Sequence, residues 1–175
     1  MNRLEAAALI KEGVLTEPMG QLWMDLGCGS GTFTLALATI IPGQSRIYAI
    51  DKNLTVMKEL PKILGTTLIQ NIKLDFISEE LPQEMFDGIL MANSLHYISE
   101  KSIFIKRVID RLKLGGNLII VEYEALYSNP MVPYPIKRAE LEELLVYHGL
   151  IDFRILGEKQ SKYGHLIYSL ASTKK

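Results

Sequence analysis

Apolar and polar positions fall along this chain in blocks that predict strands and helices in turn. A short apolar strand is predicted at 21–26, and an apolar stretch of helical character follows at 31–40. A second strand is predicted at 46–50, and Asn53 beyond it is a suitable cap for the next helix. The first third of the chain is therefore predicted to form a strand–turn–helix–strand unit.

The same alternation continues to the end of the chain. Three more strands are predicted in its middle, at 68–74, 89–92 and 117–122. An amphipathic stripe predicts a helix between Ser99, which is expected to cap it, and a pair of glycines that ends it. The last part is predicted to contain a loop at 123–135, a helix at 136–148, and strands at 151–156 and 165–172.

This order predicts an α/β fold: a doubly wound, mostly parallel seven-stranded sheet between two layers of helices. The two closing strands are joined by a polar turn at 158–164, which is too short for a crossover helix. The last strand must therefore be antiparallel. We interpret 1–175 as a single domain, in which 1–20 carries a short helix that acts as a lid or packs on an edge.

Composition and charge narrow the partners and the compartment. A net charge of −1 gives no electrostatic support for binding nucleic acid or an anionic membrane. The single cysteine, Cys28, excludes an intramolecular disulfide and fits a reducing compartment. Glu5 interrupts the apolar N-terminal patch, which argues against a signal peptide. We therefore expect a cytoplasmic protein with no nucleic-acid or membrane partner.

A glycine-rich turn lies between the first predicted strand and its helix. Asp25 precedes three alternating glycines, Gly27, Gly29 and Gly31. Glycine allows positive φ and lets a ligand approach the backbone, and the following helix directs amide groups toward it. A plain tight turn is the alternative, but three glycines directly after an acid favour a nucleotide site.

Polar residues end four of the predicted parallel strands: Asp25, Asp51, Asp75 and Asn93. Doubly wound sheets bind ligands at the carboxyl ends of their strands, so these side chains are predicted to converge. Asp51 is placed where a carboxylate can accept both hydroxyls of a ribose. Several acids without Lys or Arg suit a ligand that combines a sugar with a positive charge better than a pyrophosphate.

The spacing of the glycines argues against a dinucleotide. The GxGxxG fingerprint would need glycine at position 32 or 34, where the chain has Thr32 and Thr34. The chain reads DxGxGxG instead, and this segment, 25–31, resembles motif I of the class I S-adenosylmethionine-dependent methyltransferases. Four later segments resemble further motifs of that family in the same order, at 47–51 (IYAID), 73–76 (KLDF), 86–96 (FDGILMANSLH) and 111–121 (RLKLGGNLIIV).

The resemblance implies S-adenosyl-L-methionine as cofactor and S-adenosyl-L-homocysteine as product. Gly27, Gly29 and Gly31 would let the methionine part pass over the turn. Asp25 would act near its ammonium group, which the Asn93 carbonyl would also face.

The resemblance also implies roles on the nucleoside side of the cofactor. Asp51 would hold the ribose hydroxyls, and Asp75 and the Phe76 backbone would contact the adenine. Lys52 stands where the family often has an apolar residue against the adenine, so only its alkyl stem could serve. Leu114 replaces the proline of the family's usual LKPGG.

Methyl transfer is an in-line displacement at a carbon that the sulfonium already activates. Alignment of the reactants can supply roughly 7–11 kcal/mol of the barrier, and a base is needed only if the accepting atom must lose a proton. His96 is the candidate catalytic residue, and the alternative is a structural histidine bonded to the loop backbone. Tyr97, Glu122 and Tyr123 are further candidates near the site.

The other histidines suggest no site. His148 is interpreted as a helix cap, and nothing in the sequence places His165 near the ligand. No pair of histidines has the spacing of metal ligands, so no metal is predicted.

The expected reaction is methyl transfer to a small-molecule acceptor. Methyltransferases of nucleic-acid amines usually carry an Asp or Asn, two prolines and an aromatic residue after the fourth strand, whereas 93–96 reads NSLH. The tyrosine-rich loop at 123–135 is predicted to wall an apolar pocket, completed by the N-terminal helix or by another subunit of a homo-oligomer. The alternatives are a catalytically inert S-adenosylmethionine-binding module or partner subunit and, less favoured, an NAD-dependent oxidoreductase.

Overall fold

A mixed eight-stranded sheet with helices on both faces organises the chain. The computed structural model describes residues 1–57, 59–161 and 164–175, without the side chain of residue 54. The strands are β1 (Leu22–Leu26), β2 (Arg46–Asp51), β3 (Ile63–Leu64), β4 (Thr67–Lys73), β5 (Phe86–Ala92), β6 (Leu112–Glu124), β7 (Leu150–Gln160) and β8 (Leu166–Lys174). The helices are α1 (Arg3–Ile10), α2 (Thr32–Ala38), α3 (Leu54–Met57), α4 (Lys101–Ile109) and α5 (Arg138–Tyr147), with 3₁₀ turns at Lys11–Gly13 and Leu95–Tyr97.

The strand order is β3-β4-β2-β1-β5-β6-β8-β7. Strands β4, β2, β1, β5 and β6 are parallel, whereas β8 runs antiparallel to both β6 and β7. The predicted doubly wound α/β fold and its antiparallel last strand are confirmed. The eighth strand is the two-residue β3, which pairs with β4 in an antiparallel hairpin and is too short to give a hydrophobic pattern.

Two apolar cores lie on opposite faces of the sheet because successive side chains of a strand point to opposite sides. In β1, Trp23 packs in the core that contains residues of α1 and α2. Its neighbour Met24 packs in the core that contains residues of α4 and α5. The central strands β1 and β5 are buried along nearly their whole length, which fits their mostly apolar sequences.

The corner before α4 differs from the sequence prediction. Glu100, not Ser99, occupies the N-cap position, and it makes no capping bond from its side chain. The Lys101 side chain holds this corner instead, because its Nζ donates to the carbonyl oxygens of Ile98 (2.7 Å) and Tyr134 (2.6 Å). The loop before α5 is thereby fastened to the segment after β5.

Among the described residues, none of the helices has the length and apolar character needed to cross a membrane.

Candidate functional site

A cavity of about 630 Å³ opens at the carboxyl ends of β1 and β5. Residues 27–30 of the glycine turn line one side of it, and Ala92 and Asn93 line another. The chain runs outward from β1 to β2 in one direction and from β5 to β6 in the other, so the order of strands reverses here. Doubly wound sheets bind their ligands at this switch point, and the cavity lies where the sequence predicts it.

Glycine is required for different reasons at the three positions of the turn. All three have positive φ, but a Cβ on Gly27 would lie 2.6 Å from Cβ of Ser94, and one on Gly31 would lie 2.0 Å from Cδ2 of Leu60. A Cβ on Gly29 would meet no atom within 4 Å. Packing therefore requires glycine at positions 27 and 31, whereas Gly29 leaves open space beside the cavity.

Gly31→Ala is expected to lower the free energy of unfolding more than Gly29→Ala. Both variants place a side chain at positive φ, which costs roughly 1–2 kcal/mol. Only Gly31→Ala also overpacks the buried Leu60, which adds about 1–3 kcal/mol. Urea unfolding of the two variants measures the difference. Equal losses would mean that Leu60 moves aside freely and that backbone conformation alone requires Gly31.

Asp25 brings a buried carboxyl group to the cavity. It is 1% exposed, and its Oδ2 accepts a hydrogen bond from the Thr34 hydroxyl at 2.6 Å. Its Oδ1 is buried without a hydrogen-bond partner among the described residues. Burial raises the pKa of Asp25 to about 7, against the lowering effect of the Thr34 hydrogen bond, and the nearby charge of Asp51 raises it further.

Asn93 presents a second acceptor at the same cavity. It has a left-handed φ of 53°, which asparagine tolerates better than most residues, and its N–H donates to the Val121 carbonyl at 2.8 Å. Its side-chain Oδ1 is also buried and unpartnered within the described part of the chain. Buried acceptors are normally hydrogen-bonded, so two such oxygens in the lining of one cavity indicate a ligand with several donors.

Asp51 connects the end of β2 to the glycine turn. Its Oδ2 accepts from the Gly29 N–H at 3.0 Å, and its Oδ1 accepts from the Asn53 N–H at 2.8 Å. Asp51 does not line the cavity itself but is one hydrogen bond away from it. Each carboxylate oxygen can accept a second hydrogen bond, so Asp51 can still bind hydroxyl groups.

Of the remaining residues predicted at the site, Lys52 and Asp75 lie farther along the sheet, whereas the Phe76 ring lies 3.5 Å from where a Cβ on Gly27 would be. Asp75 follows β4, two strands from β1 and thus roughly 10 Å away, and its Oδ1 accepts from the Ile77 N–H at 3.1 Å. The Phe76 ring is buried against Phe104, with 5.6 Å between the ring centroids. Lys52 is exposed. The structure brings Asp25, the glycine turn and Asn93 together, but Lys52, Asp75 and Phe76 do not line the cavity.

A second cavity, of about 420 Å³, adjoins the first. Asn93 and Tyr123 line both cavities. The other residues that line the second cavity are His96, Tyr97, Asn129, Met131, Val132 and His165.

His96, in the wall of the second cavity, forms a buried pair with Glu122 behind it. They are 2% and 1% exposed, and His96 Nδ1 lies 2.7 Å from Glu122 Oε2. The other oxygen, Oε1, accepts from the N–H groups of Leu95 at 2.8 Å and His96 at 3.2 Å, and Oε2 also accepts from the Tyr123 N–H at 3.2 Å. The His96 ring is therefore held by a carboxylate. The structural alternative predicted that the loop backbone would hold it.

His165 lines the second cavity, although the sequence analysis found nothing to place it near the ligand. Its ring meets that of Tyr123 edge-on, with 6.5 Å between centroids. The antiparallel pairing of β8 with β6 brings the start of β8 beside the end of β6, where Glu122 and Tyr123 lie. The predicted antiparallel last strand was the sequence signal that could have placed His165 here, because an antiparallel strand beside β6 begins where β6 ends.

Of the three tyrosines in the loop at 123–135, Tyr123 lines both cavities and the other two do not. Tyr127 is 81% exposed and Tyr134 is 48% exposed, and neither lines a cavity described above. Asn129, Met131 and Val132 line the second cavity instead. Asn129 and Val132 close a tight turn through paired backbone hydrogen bonds of 3.0–3.1 Å.

The N-terminal helix flanks the first cavity. Helix α1 packs on α2 and β7, and Met1 and Glu5 line the cavity. Glu5 forms an ion pair with Lys159 of β7, which lines the same cavity. The helix thus packs beside the edge strand while its first turn reaches the site.

Cys28 is buried beside the first cavity, and His148 caps a helix as predicted. Burial raises the pKa of the Cys28 thiol far above its usual range, helped by the charges of Asp25 and Asp51, so it stays a neutral thiol. His148 occupies the C-cap position of α5, and its Nε2 lies 2.9 Å from the Ser102 hydroxyl. Within 1–57, 59–161 and 164–175, no group of three or more His, Cys, Asp or Glu residues is placed to bind a metal ion.

Comparison with known proteins identifies a family. A family model described as "Methyltransferase domain" matches residues 24–118. An uncharacterized methyltransferase of Mycobacterium tuberculosis is 28% identical over 107 residues, which cover 61% of this chain and 53% of the relative. A ubiquinone/menaquinone biosynthesis C-methyltransferase of Vibrio campbellii is 26% identical over 116 residues, covering 64% and 45%. The chain spans about half the length of these curated relatives.

Solved structures show the same fold. A phosphoethanolamine N-methyltransferase of Haemonchus contortus, solved with phosphomonomethylethanolamine and S-adenosylhomocysteine, superposes with a TM-score of 0.76 at 15% identity, covering 98% of this chain and 52% of that one. A SAM-dependent methyltransferase of Aquifex aeolicus superposes with a TM-score of 0.72 at 21% identity, covering 98% and 90%.

Proposed function

This chain belongs to the methyltransferase domain family, and we propose that it binds S-adenosyl-L-methionine in the first cavity and transfers its methyl group to a small molecule. Family membership confirms the resemblance seen in the five sequence motifs. The observation that carries the proposal is the pair of buried oxygens on Asp25 and Asn93 that have no hydrogen-bond partner among the described residues.

The methionine ammonium group suits these two oxygens. An ammonium has three donors and a positive charge, and the lining supplies a carboxylate oxygen from Asp25 and an amide oxygen from Asn93. A pyrophosphate would bring a negative charge toward the same carboxylate. The lining therefore favours an amino-acid ligand over NAD, in agreement with the spacing of the glycines.

The nucleoside is proposed to extend from the glycine turn along the strand ends. Asp51 supports this placement, because the Gly29 N–H fixes its carboxylate beside the turn while each oxygen keeps a free lone pair for a ribose hydroxyl. Asp75, Phe76 and Lys52 lie beyond Asp51, past the end of β4 and β2, which is the direction in which an adenine would lie. Their roles remain those that the family resemblance implies.

Binding of S-adenosylhomocysteine is expected to strengthen on the order of tenfold between pH 6 and pH 7.5. The pKa of Asp25 is raised to about 7, so the fraction that is ionised rises across this interval, and only the ionised form pairs with the ammonium. Below pH 7 binding must then release a proton. Calorimetry in two buffers of different ionisation enthalpy measures both effects. Affinity that does not change with pH, with no proton released, would contradict the ammonium assignment.

Transfer of a labelled methyl group tests the proposed function. The protein is incubated with methyl-labelled S-adenosylmethionine and with cell extract divided into small molecules, protein and nucleic acid. Label is expected in the small-molecule fraction with the wild type, and much less of it with Asp25→Asn at the same cofactor concentration. Label confined to protein or nucleic acid, or no label in any fraction, would contradict the proposal.

A further inference from the structure

We propose that the second cavity binds the methyl acceptor, that the acceptor is a flat, largely apolar molecule with an ionisable hydroxyl, such as a phenol or an enol, and that His96 removes the proton of this hydroxyl. Glu122 acts as a positioning residue for His96. The inference rests on the proposed function, because it needs the methyl donor in the first cavity.

The position of the second cavity supports this assignment. Methyl transfer requires the accepting atom to come within roughly 3–3.5 Å of the methyl carbon, so the acceptor site must adjoin the donor site. The second cavity shares Asn93 and Tyr123 with the first. Three other cavities in the described part of the chain share no lining residue with the first cavity.

The walls of the second cavity define the class of molecule. Met131, Val132 and the rings of Tyr97 and Tyr123 provide apolar surface, and aromatic rings and methionine pack well against a planar ring. Its described lining contains no Lys, Arg, Asp or Glu. A phosphorylated acceptor would find no Lys or Arg side chain in this lining, whereas a flat apolar molecule buries its surface.

The bonding of Glu122 sets the tautomer of His96. Besides the ring of His96, three backbone N–H groups, those of Leu95, His96 and Tyr123, donate to the two oxygens of Glu122. A carboxylate so placed accepts a hydrogen bond from Nδ1–H of His96, 2.7 Å away. Nε2 then carries the free lone pair and is the ring nitrogen left for a ligand in the cavity, which is the arrangement that a general base requires.

The loop over the cavity is anchored to the segment that carries His96. The N–H of Tyr134 donates to the carbonyl oxygen of His96 at 2.9 Å, and Lys101 Nζ donates to the Tyr134 carbonyl oxygen at 2.6 Å. The same loop places Met131 and Val132 in the cavity wall. The base and the apolar wall are therefore fixed relative to each other.

The transfer step balances without a further reactant. The hydroxyl proton passes to Nε2 of His96, the hydroxyl oxygen forms a bond to the methyl carbon, and the carbon–sulfur bond breaks with its electron pair on sulfur. The products are a methyl ether and the neutral thioether S-adenosylhomocysteine. His96 then releases its proton to solvent.

Binding to the protein saturated with S-adenosylhomocysteine tests the site without turnover. The probes are 2-naphthol and its methyl ether, measured by calorimetry. Wild type is expected to bind 2-naphthol at least fivefold more tightly than the ether, because only the hydroxyl can donate to His96. Met131→Trp, which fills the cavity from an exposed loop position, is expected to weaken both probes and leave S-adenosylhomocysteine binding within twofold. His148→Gln, outside both cavities, serves as the control.

Transfer rates distinguish a base from a structural histidine. His96→Gln is expected to lower kcat for 2-naphthol by at least 100-fold, within the usual range for general base catalysis. The same variant is expected to keep most of its rate with 4-nitrophenol at alkaline pH, because that acceptor is already ionised. Glu122→Gln is expected to lower kcat for 2-naphthol while the KM for 2-naphthol stays within threefold, and to spare 4-nitrophenol in the same way.

The outcomes separate a failure of the proposed function from a failure of the acceptor assignment. If S-adenosylhomocysteine does not bind, the proposed function fails and the inference fails with it. If it binds but the wild type neither binds nor methylates the two hydroxyl compounds, the acceptor class is wrong while the cofactor site stands. If His96→Gln loses the same factor with both acceptors, His96 is not the base.

Discussion

Asp25→Asn is expected to stabilise the protein above neutral pH and, at the same time, to weaken S-adenosylhomocysteine binding on the order of 100-fold. A neutral amide removes the charge that attracts the ligand ammonium, and a hydrogen bond to a charged group contributes about 1.5–3 kcal/mol. The shape of the side chain is nearly unchanged, and the amide oxygen can still accept from the Thr34 hydroxyl.

The stabilisation follows from the pKa of Asp25, which is raised from 3.8 to about 7. A raised pKa means that the folded state holds the proton more tightly than the unfolded state. The stability it contributes is complete below about pH 4 and is lost as the pH rises through 7. Asparagine does not ionise, so the gain is near zero at pH 4 and approaches about 4 kcal/mol at pH 8.

Urea unfolding at several pH values, together with calorimetry, measures both changes. Asp87→Asn is the control: Asp87 accepts from the Leu22 N–H at 2.8 Å and pairs with Lys113 at 2.8 Å, outside the cavity. This variant is expected to lose stability and keep its affinity. If Asp25→Asn were destabilised at pH 8, or bound as tightly as wild type, Asp25 would be a structural residue and not the ammonium partner.

Asp51→Ala is expected to weaken S-adenosylhomocysteine binding by 100-fold or more, because two hydroxyl hydrogen bonds to a carboxylate are lost. The variant should remain folded. It leaves the N–H groups of Gly29 and Asn53 without their acceptor, which costs roughly 1–2 kcal/mol at a partly exposed position.

A ligand lacking the ribose 2′-hydroxyl separates direct contact from loosening of the glycine turn. Wild type is expected to bind the deoxy analogue at least tenfold more weakly than S-adenosylhomocysteine, whereas Asp51→Ala binds both alike. Asn53→Ala is the matched control. It removes the hydrogen bond from the Thr55 N–H to the Asn53 side chain but keeps the backbone N–H of residue 53, which donates to Asp51. A preference for the full ribose that survives in Asp51→Ala would exclude Asp51 as the ribose partner.

The hydrophobic pattern predicted most of the fold because its strands are buried on both faces. Apolar residues dominate β1, β5 and the 118–121 part of β6, and the order of strand and helix then requires a parallel sheet with its ligand site at the switch point. That topology was enough to bring Asp25 and Asn93 together. The two-residue β3 carries no such pattern and was not predicted.

The position of Asp75 across the sheet separates it from the first cavity. Topology places it at the same edge as Asp51 but two strands from β1, and its Oδ1 accepts from the Ile77 N–H just as Oδ1 of Asp51 accepts from the Asn53 N–H. The pattern of the glycines likewise could not reveal that Gly31 faces Leu60, a partner distant in sequence.

The His96–Glu122 pair lay beyond the reach of sequence reasoning for a similar reason. Each residue was a candidate by its position in the sequence. His96 follows β5, and Glu122 lies near the end of β6, the neighbouring parallel strand. Their contact depends on the register of those strands, which hydrophobic pattern does not specify. His165 depends on the register of β8 against β6 in the same way.

A calorimetric titration of the wild-type protein with S-adenosylhomocysteine and, separately, with NAD tests the central claim most directly. We expect saturable binding of S-adenosylhomocysteine at one site, with release of a proton at pH 6, and no binding of NAD. Binding of NAD without binding of S-adenosylhomocysteine would contradict the assignment of the cavity between β1 and β5 to the methyl donor.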